Sequence, residues 1–317
     1  MAKSVSKKNV QEAQNQGLRV VTTPKTKPYN DIDLNNWKLY SHIKTGSLWE
    51  FASRDKSNGH SYDYHGNYIP QIATQLFERY TKKNDIVLDL FFGSGTSAIE
   101  ALNMERRCIG VELKQEMADY VSEKFSKKEL VTDVNIICGD SASEDTKAKV
   151  QARLEIMGKE QGKDKAQFVV LHPPYDDIIK FSDKKEDLSN CETTEEFYDD
   201  IIKFSDKKED LSNCATTEEF YDLFEKVAKN AYDLLEKGRF AALIIGDEYK
   251  NSRVIPLGFE CMKRMENVGF ITKAIVVKNI TGNEKAKGKT ANLWRYRALA
   301  GGFNIFEHEY IMTFQKV

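Results

Sequence analysis

Apolar segments that alternate with helical segments constrain the fold of this chain more than any other feature. The apolar segments are Ile86–Leu90, Cys108–Val111, Val134–Cys138, Phe168–Leu171, Phe240–Ile245, Phe270–Val277 and Glu309–Phe314. Helical periodicity covers Ile69–Tyr80, Thr96–Asn103, Gln115–Phe125, a charged stretch to about Met157, about Thr217–Leu235, and Leu257–Val268. This alternation predicts a doubly wound α/β fold, with a mostly parallel seven-stranded sheet covered on both faces. The last two strands have no predicted helix between them, so we expect an antiparallel strand at one edge.

Composition narrows the class of protein without defining its function. The chain has 317 residues, of which 40% are hydrophobic and 30% charged, as in globular proteins. No signal peptide and no segment of membrane-spanning length is evident, so we expect no membrane partner. The five cysteines lack metal-ligand spacing, which predicts no metal site and a reducing, cytoplasmic environment. A net charge of −2 restricts any nucleic-acid surface to a local patch.

Three regions depart from the main pattern. Residues 1–45 are irregular and basic, which predicts a flexible N-terminal arm before a single domain at 46–317. Residues 176–198 and 199–221 form a tandem repeat that differs only at Glu192 and Ala215, and the first copy is expected to lengthen a loop. Residues 280–306 are basic and aromatic, which favours either a recognition loop or a solvated loop. The residues that a recognition loop would use to contact a nucleic acid are Lys285, Lys287, Lys289, Trp294, Arg295, Tyr296 and Arg297.

The segment from Asp89 to Thr96 reads Asp-Leu-Phe-Phe-Gly-Ser-Gly-Thr and links the first predicted strand to a helix. Glycines at 93 and 95 permit positive φ and allow a ligand to approach the backbone closely. The helix that begins near Thr96 would point its amino end at that ligand. A tight strand–helix turn without a ligand is the alternative.

Acidic residues follow the next two strands. Glu112 ends the second strand, where a carboxylate can accept hydrogen bonds from ribose hydroxyls. Asp140 follows the third strand, where it can accept from an adenine amino group. An exposed acid at 112, and a turn acid at 140 that caps the following helix, are the alternatives. Together with the glycine turn, these residues predict a nucleoside-bearing cofactor.

The fourth strand ends in His172-Pro173-Pro174-Tyr175. The prolines fix φ and remove N–H donors, so the Pro173 carbonyl is left as an acceptor for an amino group. His172 can add a second acceptor through a neutral ring nitrogen. Tyr175 is placed to stack on a flat base. A proline-rich turn without function is the alternative.

These motifs resemble those of bacterial amino-directed DNA methyltransferases, which modify adenine N6 or cytosine N4. Asp89–Gly95 resembles their first motif, Glu112 the second, Asp140 the third, and His172–Tyr175 their Asp/Asn/Ser-Pro-Pro-aromatic motif. Tyr64–Pro70 resembles the segment that packs over the methionine part of the cofactor. The likeness covers residues 60–317. The chain departs from the pattern in having His172 at the first catalytic position and no large target-recognition domain.

The resemblance implies a Rossmann-like methyltransferase that uses S-adenosylmethionine to methylate an exocyclic amine of a flipped DNA base. It implies catalytic roles for His172, Pro173, Pro174 and Tyr175. The residues implied in cofactor binding are Tyr68, Asp89, Phe91, Gly93, Gly95, Thr96, Glu112 and Asp140. RNA or protein-glutamine methylation, and a catalytically impaired nucleic-acid-binding subunit, stay open as alternatives. A homodimer and a cognate restriction endonuclease are also open as partners.

Overall fold

A computed structural model describes residues 25–57, 60, 66–126, 134–174, 207, 209–214, 216–250, 253–280 and 291–317. These residues form a mixed α/β structure with one large sheet and a small hairpin. The strands are β1 (Leu48–Trp49), β2 (Ile86–Asp89), β3 (Arg107–Glu112), β4 (Val134–Cys138), β5 (Ala166–Leu171), β6 (Leu235–Ile245), β7 (Glu248–Lys250), β8 (Arg253–Ile255), β9 (Phe270–Asn279) and β10 (His308–Lys316). The helices are α1 (Pro70–Tyr80), α2 (Thr96–Asn103), α3 (Gln115–Ser126), α4 (Glu144–Gly158), α5 (Thr217–Leu234), α6 (Leu257–Asn267) and α7 (Ala291–Gly301).

The large sheet has eight strands in the order β1-β9-β10-β6-β5-β2-β3-β4. Neighbours from β6 to β4 are parallel, whereas β10 is antiparallel to both β6 and β9. The predicted α/β class and mostly parallel sheet are therefore confirmed. Because β2 lies beside both β3 and β5, the turns that follow these strands meet at one edge of the sheet.

Two details of the predicted sheet are wrong. The antiparallel strand, β10, is not at an edge of the sheet, because it lies between β6 and β9 and pairs with both. The two-residue strand β1 pairs with β9 and adds an eighth strand to the seven predicted. In addition, α7 lies between β9 and β10, where the sequence predicted no helix.

Helices cover both faces of the sheet. Side chains from α4, α5 and α6 pack on one face, where Phe224 of α5 and Leu154 of α4 are fully buried. Side chains from α1, α2 and α3 pack on the other face, where Leu76 of α1 and Phe125 of α3 are buried. Burying one such side chain contributes about 1.5–3 kcal/mol. Leu88 and Val87 of β2 point to opposite faces, as strand geometry requires.

Residues 25–45, which we assigned to a flexible arm, pack against the domain. Asp33 caps a 3₁₀ helix at Leu34–Tyr40 by accepting from the Asn35 N–H at 3.0 Å. The Asn30 amide donates to the Arg79 carbonyl at 2.8 Å, and the Tyr29 ring contacts Phe240 edge-on at 4.9 Å. The partners in these contacts are distant along the chain, so the composition of the segment gives no sign of them. Residues 1–24 lie outside the described part.

The two copies of the repeat are described unequally. The first copy, Asp176–Tyr198, lies outside the described residues. In the second copy, Thr216 caps α5 by accepting from the Glu219 N–H at 3.2 Å. Leu211 and Phe220 of this copy are buried in the core. The second copy is therefore part of the packed domain, through these two side chains.

Candidate functional site

A glycine turn joins β2 to α2 at the carboxyl edge of the sheet. Gly93 has φ of +50° and Gly95 has φ of +86°, so both use backbone conformations that favour glycine. Gly95 is also the N-cap of α2, whose first residue, Thr96, is buried. A Cβ at Gly95 would lie 3.0 Å from the Phe125 ring of α3. The turn thus has the backbone geometry that the sequence predicts, and α3 packs closely against it.

Asp89 is buried at the start of this turn and links it to the segment before α1. Its Oδ1 accepts from the Phe91 N–H at 3.0 Å, and its Oδ2 accepts from the Ser97 hydroxyl. The buried Tyr68 hydroxyl is hydrogen-bonded to the same Ser97 oxygen. Burial raises the pKa of Asp89 to about 6, and the Ser97 bond opposes that rise. Burial also raises the pKa of Tyr68, so this phenol is neutral.

Glu112 ends β3 and holds the glycine turn. Its Oε2 accepts from the Gly93 N–H at 3.0 Å, and its Oε1 accepts from the Lys114 N–H at 3.0 Å. Burial raises the pKa of this carboxyl, while the two backbone hydrogen bonds lower it. A carboxylate has about four lone-pair sites, so two acceptor positions are left after these bonds.

Ser143 rather than Asp140 is the N-cap of α4, and Asp140 binds within the turn that follows β4. Its Oδ1 accepts from the Ala142 N–H at 2.8 Å, and partial burial raises its pKa. The neighbouring Ser141 hydroxyl donates to the Leu90 carbonyl at 2.6 Å, which ties the β4 turn to the β2 turn. Phe91, in the β2 turn, is partly buried and packs against the core. The Ser141 hydrogen bond thus holds the β2 and β4 turns together at this edge.

His172 and the two prolines follow β5, beside the glycine turn. Val170 pairs with Asp89 across β5 and β2, so His172 lies just beyond that pair. Its ring contacts the Tyr68 ring edge-on, with centroids 5.4 Å apart. Burial lowers the pKa of His172, which favours the neutral imidazole. Pro173 is buried, Pro174 is partly buried, and Tyr175 lies outside the described residues.

The residues predicted to form a recognition loop at 280–306 are only partly described by the structure. Arg295 and Tyr296 are exposed on α7, whereas Lys285, Lys287 and Lys289 lie outside the described residues. Two contributions were missed from the sequence. Ser97 joins Tyr68 to Asp89, and a buried ion pair joins Lys278 of β9 to Glu309 of β10. Charged residues inside apolar strand segments were the available signal for that pair.

Two kinds of feature are absent from the described part of the chain. None of its helices combines the length and apolar character that a membrane span needs. No group of three or more His, Cys, Asp or Glu side chains there has an arrangement that would hold a metal ion.

Comparisons with known proteins agree with the motifs. The model of the N6/N4 DNA methylase family matches residues 2–123, which include the glycine turn and Glu112. Type II methyltransferase M.BglI of Bacillus subtilis is 30% identical over 83 residues, which is 26% of this chain and 22% of that protein. Type II methyltransferase M1.MboII of Moraxella bovis is 35% identical over 85 residues, which is 25% of this chain and 31% of that protein. The chain is therefore similar to DNA amino-methyltransferases, as its motifs indicate.

The probable type III restriction-modification enzyme HindVI Mod subunit of Haemophilus influenzae is 28% identical over 102 residues, 31% of this chain and 14% of that protein. The matches to these three relatives thus span 14% to 31% of the relatives' own lengths. Among solved structures, TrmN from Thermus thermophilus has a TM-score of 0.44 at 14% identity, over 80% of this chain and 50% of that one. A methyltransferase from Pyrococcus furiosus also has a TM-score of 0.44, at 10% identity, over 81% of this chain and 88% of that one.

Proposed function

We propose that this protein is a site-specific DNA methyltransferase. It would move a methyl group from S-adenosylmethionine to an exocyclic amine, adenine N6 or cytosine N4, of a flipped base. One arrangement carries the proposal: the glycine turn of β2 lies beside the His172-Pro173-Pro174 tip of β5 at the same sheet edge. A cofactor site and an amine-binding tip therefore adjoin each other.

The residues at this edge fit a nucleoside-bearing cofactor. Gly93 and Gly95 have no side chain that would keep a ligand from the backbone of the turn. Glu112 keeps acceptor positions for two ribose hydroxyls, and Asp140 keeps Oδ2 for an adenine amino group. Phe91 and Tyr68 pack with the core clusters on opposite faces of the sheet. When bound, S-adenosylmethionine supplies a methyl group on a sulfonium centre.

The tip of β5 would prepare the amine. A neutral His172 ring nitrogen and the Pro173 carbonyl each accept one hydrogen bond from the amino group. Two acceptors favour tetrahedral geometry at nitrogen and concentrate its lone pair toward the methyl group. Most of the rate enhancement would come from alignment and from these fixed acceptors. No strong base is required, because the amine proton can leave after transfer.

The target base must leave the duplex before it reaches this tip, which costs a few kcal/mol. Tyr175 is proposed to stack on the flipped base. Basic residues of 280–306, among them the exposed Arg295, are proposed to contact phosphates. Cys108 and Cys261 are buried free thiols, which supports a reducing cytoplasm. A homodimer and a cognate restriction endonuclease are proposed partners.

Transfer of a labelled methyl group tests the proposal directly. Purified protein is incubated with S-adenosylmethionine labelled at the methyl group and with duplex DNA, RNA or a protein extract. We expect label in DNA, as N6-methyladenine or N4-methylcytosine after nucleoside analysis, and none with His172→Ala. Label found only in RNA, or only in protein glutamine, would identify that molecule rather than DNA as the substrate. Cofactor binding without transfer to any of the three would support a non-enzymatic binding subunit.

Cofactor affinity should depend on Glu112 and Gly95. Glu112→Gln loses charge-assisted acceptor bonds to ribose, which are worth about 1.5–3 kcal/mol, so affinity should fall on the order of 10- to 100-fold. Gly95→Val should abolish binding, because a side chain there meets Phe125 and strains a φ of +86°. Calorimetry with S-adenosylhomocysteine measures both affinities. Glu116→Gln, an exposed acid on α3, is the matched control. Native affinity in both variants would indicate that the cofactor binds at another site.

A further inference from the structure

Lys278 and Glu309 form a buried ion pair that the proposed reaction does not yet use. Lys278 Nζ lies 2.7 Å from Glu309 Oε1, with side-chain exposures of only 6% and 11%. The two residues are direct cross-strand partners on β9 and β10. Desolvating two charges can cost more than their attraction returns, so a buried pair is weak evidence for a stabilising role. Its position in the fold indicates another role.

The pair lies on the same sheet face and at the same edge as His172. Val170, Ala242 and Thr313 form one row across β5, β6 and β10, and side chains two residues further along each strand share that face. His172 stands one step beyond this row, near the buried Ile311. Glu309 stands one step further.

Ile244 of β6 lies in the histidine row, between His172 and Ile311. Tyr310 pairs with Ile245, so continuing this register places Gly246 opposite Glu309. Glycine has no side chain, so β6 adds no further side chain in the row of the ion pair.

We propose that Lys278 and Glu309 act together as positioning residues for methyl transfer: their opposite charges offset each other at the sheet edge that carries His172, so neither charge disturbs the neutral imidazole that burial favours and a ring nitrogen stays an acceptor. This inference rests on the proposed function in assigning His172 as an acceptor. It adds that loss of either charge alone, from a pair carried by two other strands, would change the ionisation of the ring.

The electrostatic contributions agree with this geometry. Burial lowers the pKa of His172 most, the Glu309 carboxylate raises it, and the Lys278 ammonium lowers it. Tyr68 also faces the ring, but its phenol is neutral because burial raises its pKa. Asp89 lies beyond Tyr68 and is engaged by Ser97. Losing one member of the pair would leave the other charge unbalanced next to the ring.

Ring titration by NMR tests the inference without substrate or cofactor. The protein is labelled in its five histidines, and loss of a signal in His172→Asn identifies His172. Lys278→Met should raise the His172 pKa on the order of one unit, since Glu309 then acts alone. Glu309→Gln should lower it further, and the double variant should return close to the native value. Lys163→Met breaks an ion pair with Asp85, which precedes β2 at the opposite edge, and should leave the value unchanged.

The double variant keeps the test decisive if a single variant is unstable. Replacing both members of a buried pair by uncharged groups is often tolerated, unlike removing one member. An unchanged His172 pKa in folded Lys278→Met or Glu309→Gln protein would overturn the inference, as would a double variant that shifts as far as either single variant.

Methylation kinetics separates this inference from the proposed function. The acid limb of single-turnover methylation should move with the NMR pKa, upward for Lys278→Met and downward for Glu309→Gln. Opposite pKa shifts in protein that methylates no DNA would support the ion pair's effect and reject the proposed function. DNA methylation with an acid limb that neither substitution moves would reject the inference and leave the proposed function intact.

Discussion

At the scale of single residues, burial controls the ionisation of the site. Asp89, Glu112 and Asp140 all have raised pKa values, with burial as the largest cause. Each of these carboxylates accepts at least one backbone hydrogen bond, which opposes that rise. The carboxylates are therefore held in place by bonds that favour their charged forms.

Asp89 should make folding stability depend on pH. Its pKa rises from the ordinary 3.8 to about 6, so the folded state binds its proton more tightly than the unfolded state does. The stability from this proton is fully present below the unfolded pKa and is lost as pH rises through about 6. Relative to Asp89→Asn, the native chain should lose about 2 kcal/mol of unfolding free energy between pH 4 and pH 7.

Urea denaturation of the native and Asp89→Asn proteins across that pH range measures the difference. Asp119→Asn, an exposed acid on α3, is the control, and its difference from the native protein should be small throughout. A constant difference between the native protein and Asp89→Asn would mean that Asp89 does not titrate in this window.

His172 should give methylation an acid limb. The neutral ring accepts a hydrogen bond, whereas the protonated ring only donates. Its pKa lies below the ordinary histidine value, so activity should be full at neutral pH and fall only at lower pH. His172→Asp should keep measurable activity and flatten this limb, since Asp restores the short acceptor typical of the family. Single-turnover methylation against pH compares the two proteins, and a shared acid limb would show that His172 is not the acceptor.

At the scale of elements, local pattern predicted most strands and helices closely. Seven apolar segments became seven strands of the sheet, because buried strands of a parallel sheet are continuously apolar. The two-residue strand β1 was missed because it is too short to show a pattern. The interior position of β10 was missed because strand order depends on pairing between distant segments. At the site, the motifs indicated the glycine turn. They did not indicate the contacts of Ser97 with Tyr68 and Asp89, because these residues come from separate segments of the chain.

The tandem repeat offers two nearly identical sequences with different expected roles. Leu211 of the second copy is 3% exposed in the core, and truncating such a leucine costs about 2–5 kcal/mol. Leu188 has the same neighbours in sequence, but it belongs to the copy that we expect to be dispensable. Leu211→Ala should therefore lower the denaturation midpoint, whereas Leu188→Ala should leave it nearly unchanged.

Deleting residues 176–198 extends this test. The deletion restores a single copy after Tyr175, and loop length costs little entropy per residue. We expect the shortened chain to fold and to methylate DNA. Equal losses for Leu188→Ala and Leu211→Ala, or an inactive shortened chain, would give the first copy a role in the fold or in recognition.

At the scale of the whole molecule, the sheet connects the site to the opposite edge. Buried polar groups at that edge fasten the N-terminal segment to the domain. The buried Asp85 carboxylate, which precedes β2, pairs with Lys163 at 2.8 Å and with Arg239 of β6. Arg239 also donates to the Pro28 carbonyl at 3.3 Å. Composition predicted a flexible arm for this N-terminal segment. A basic and irregular sequence gives no local sign of partners that are distant along the chain.

Truncation distinguishes the packed part of the N-terminal segment from the part before it. A chain without residues 1–33 loses the Tyr29 contact with Phe240, the Asn30 bond to Arg79, and the Asp33 cap. It should lose on the order of 3 kcal/mol of unfolding free energy, from one ring burial and two to three hydrogen bonds. A chain without residues 1–24 keeps all these contacts and should match the native stability. Denaturant unfolding compares the three chains. If both truncations cost equally, residues before Lys25 stabilise the domain, and if neither costs stability, the segment at 25–33 contributes nothing to the fold.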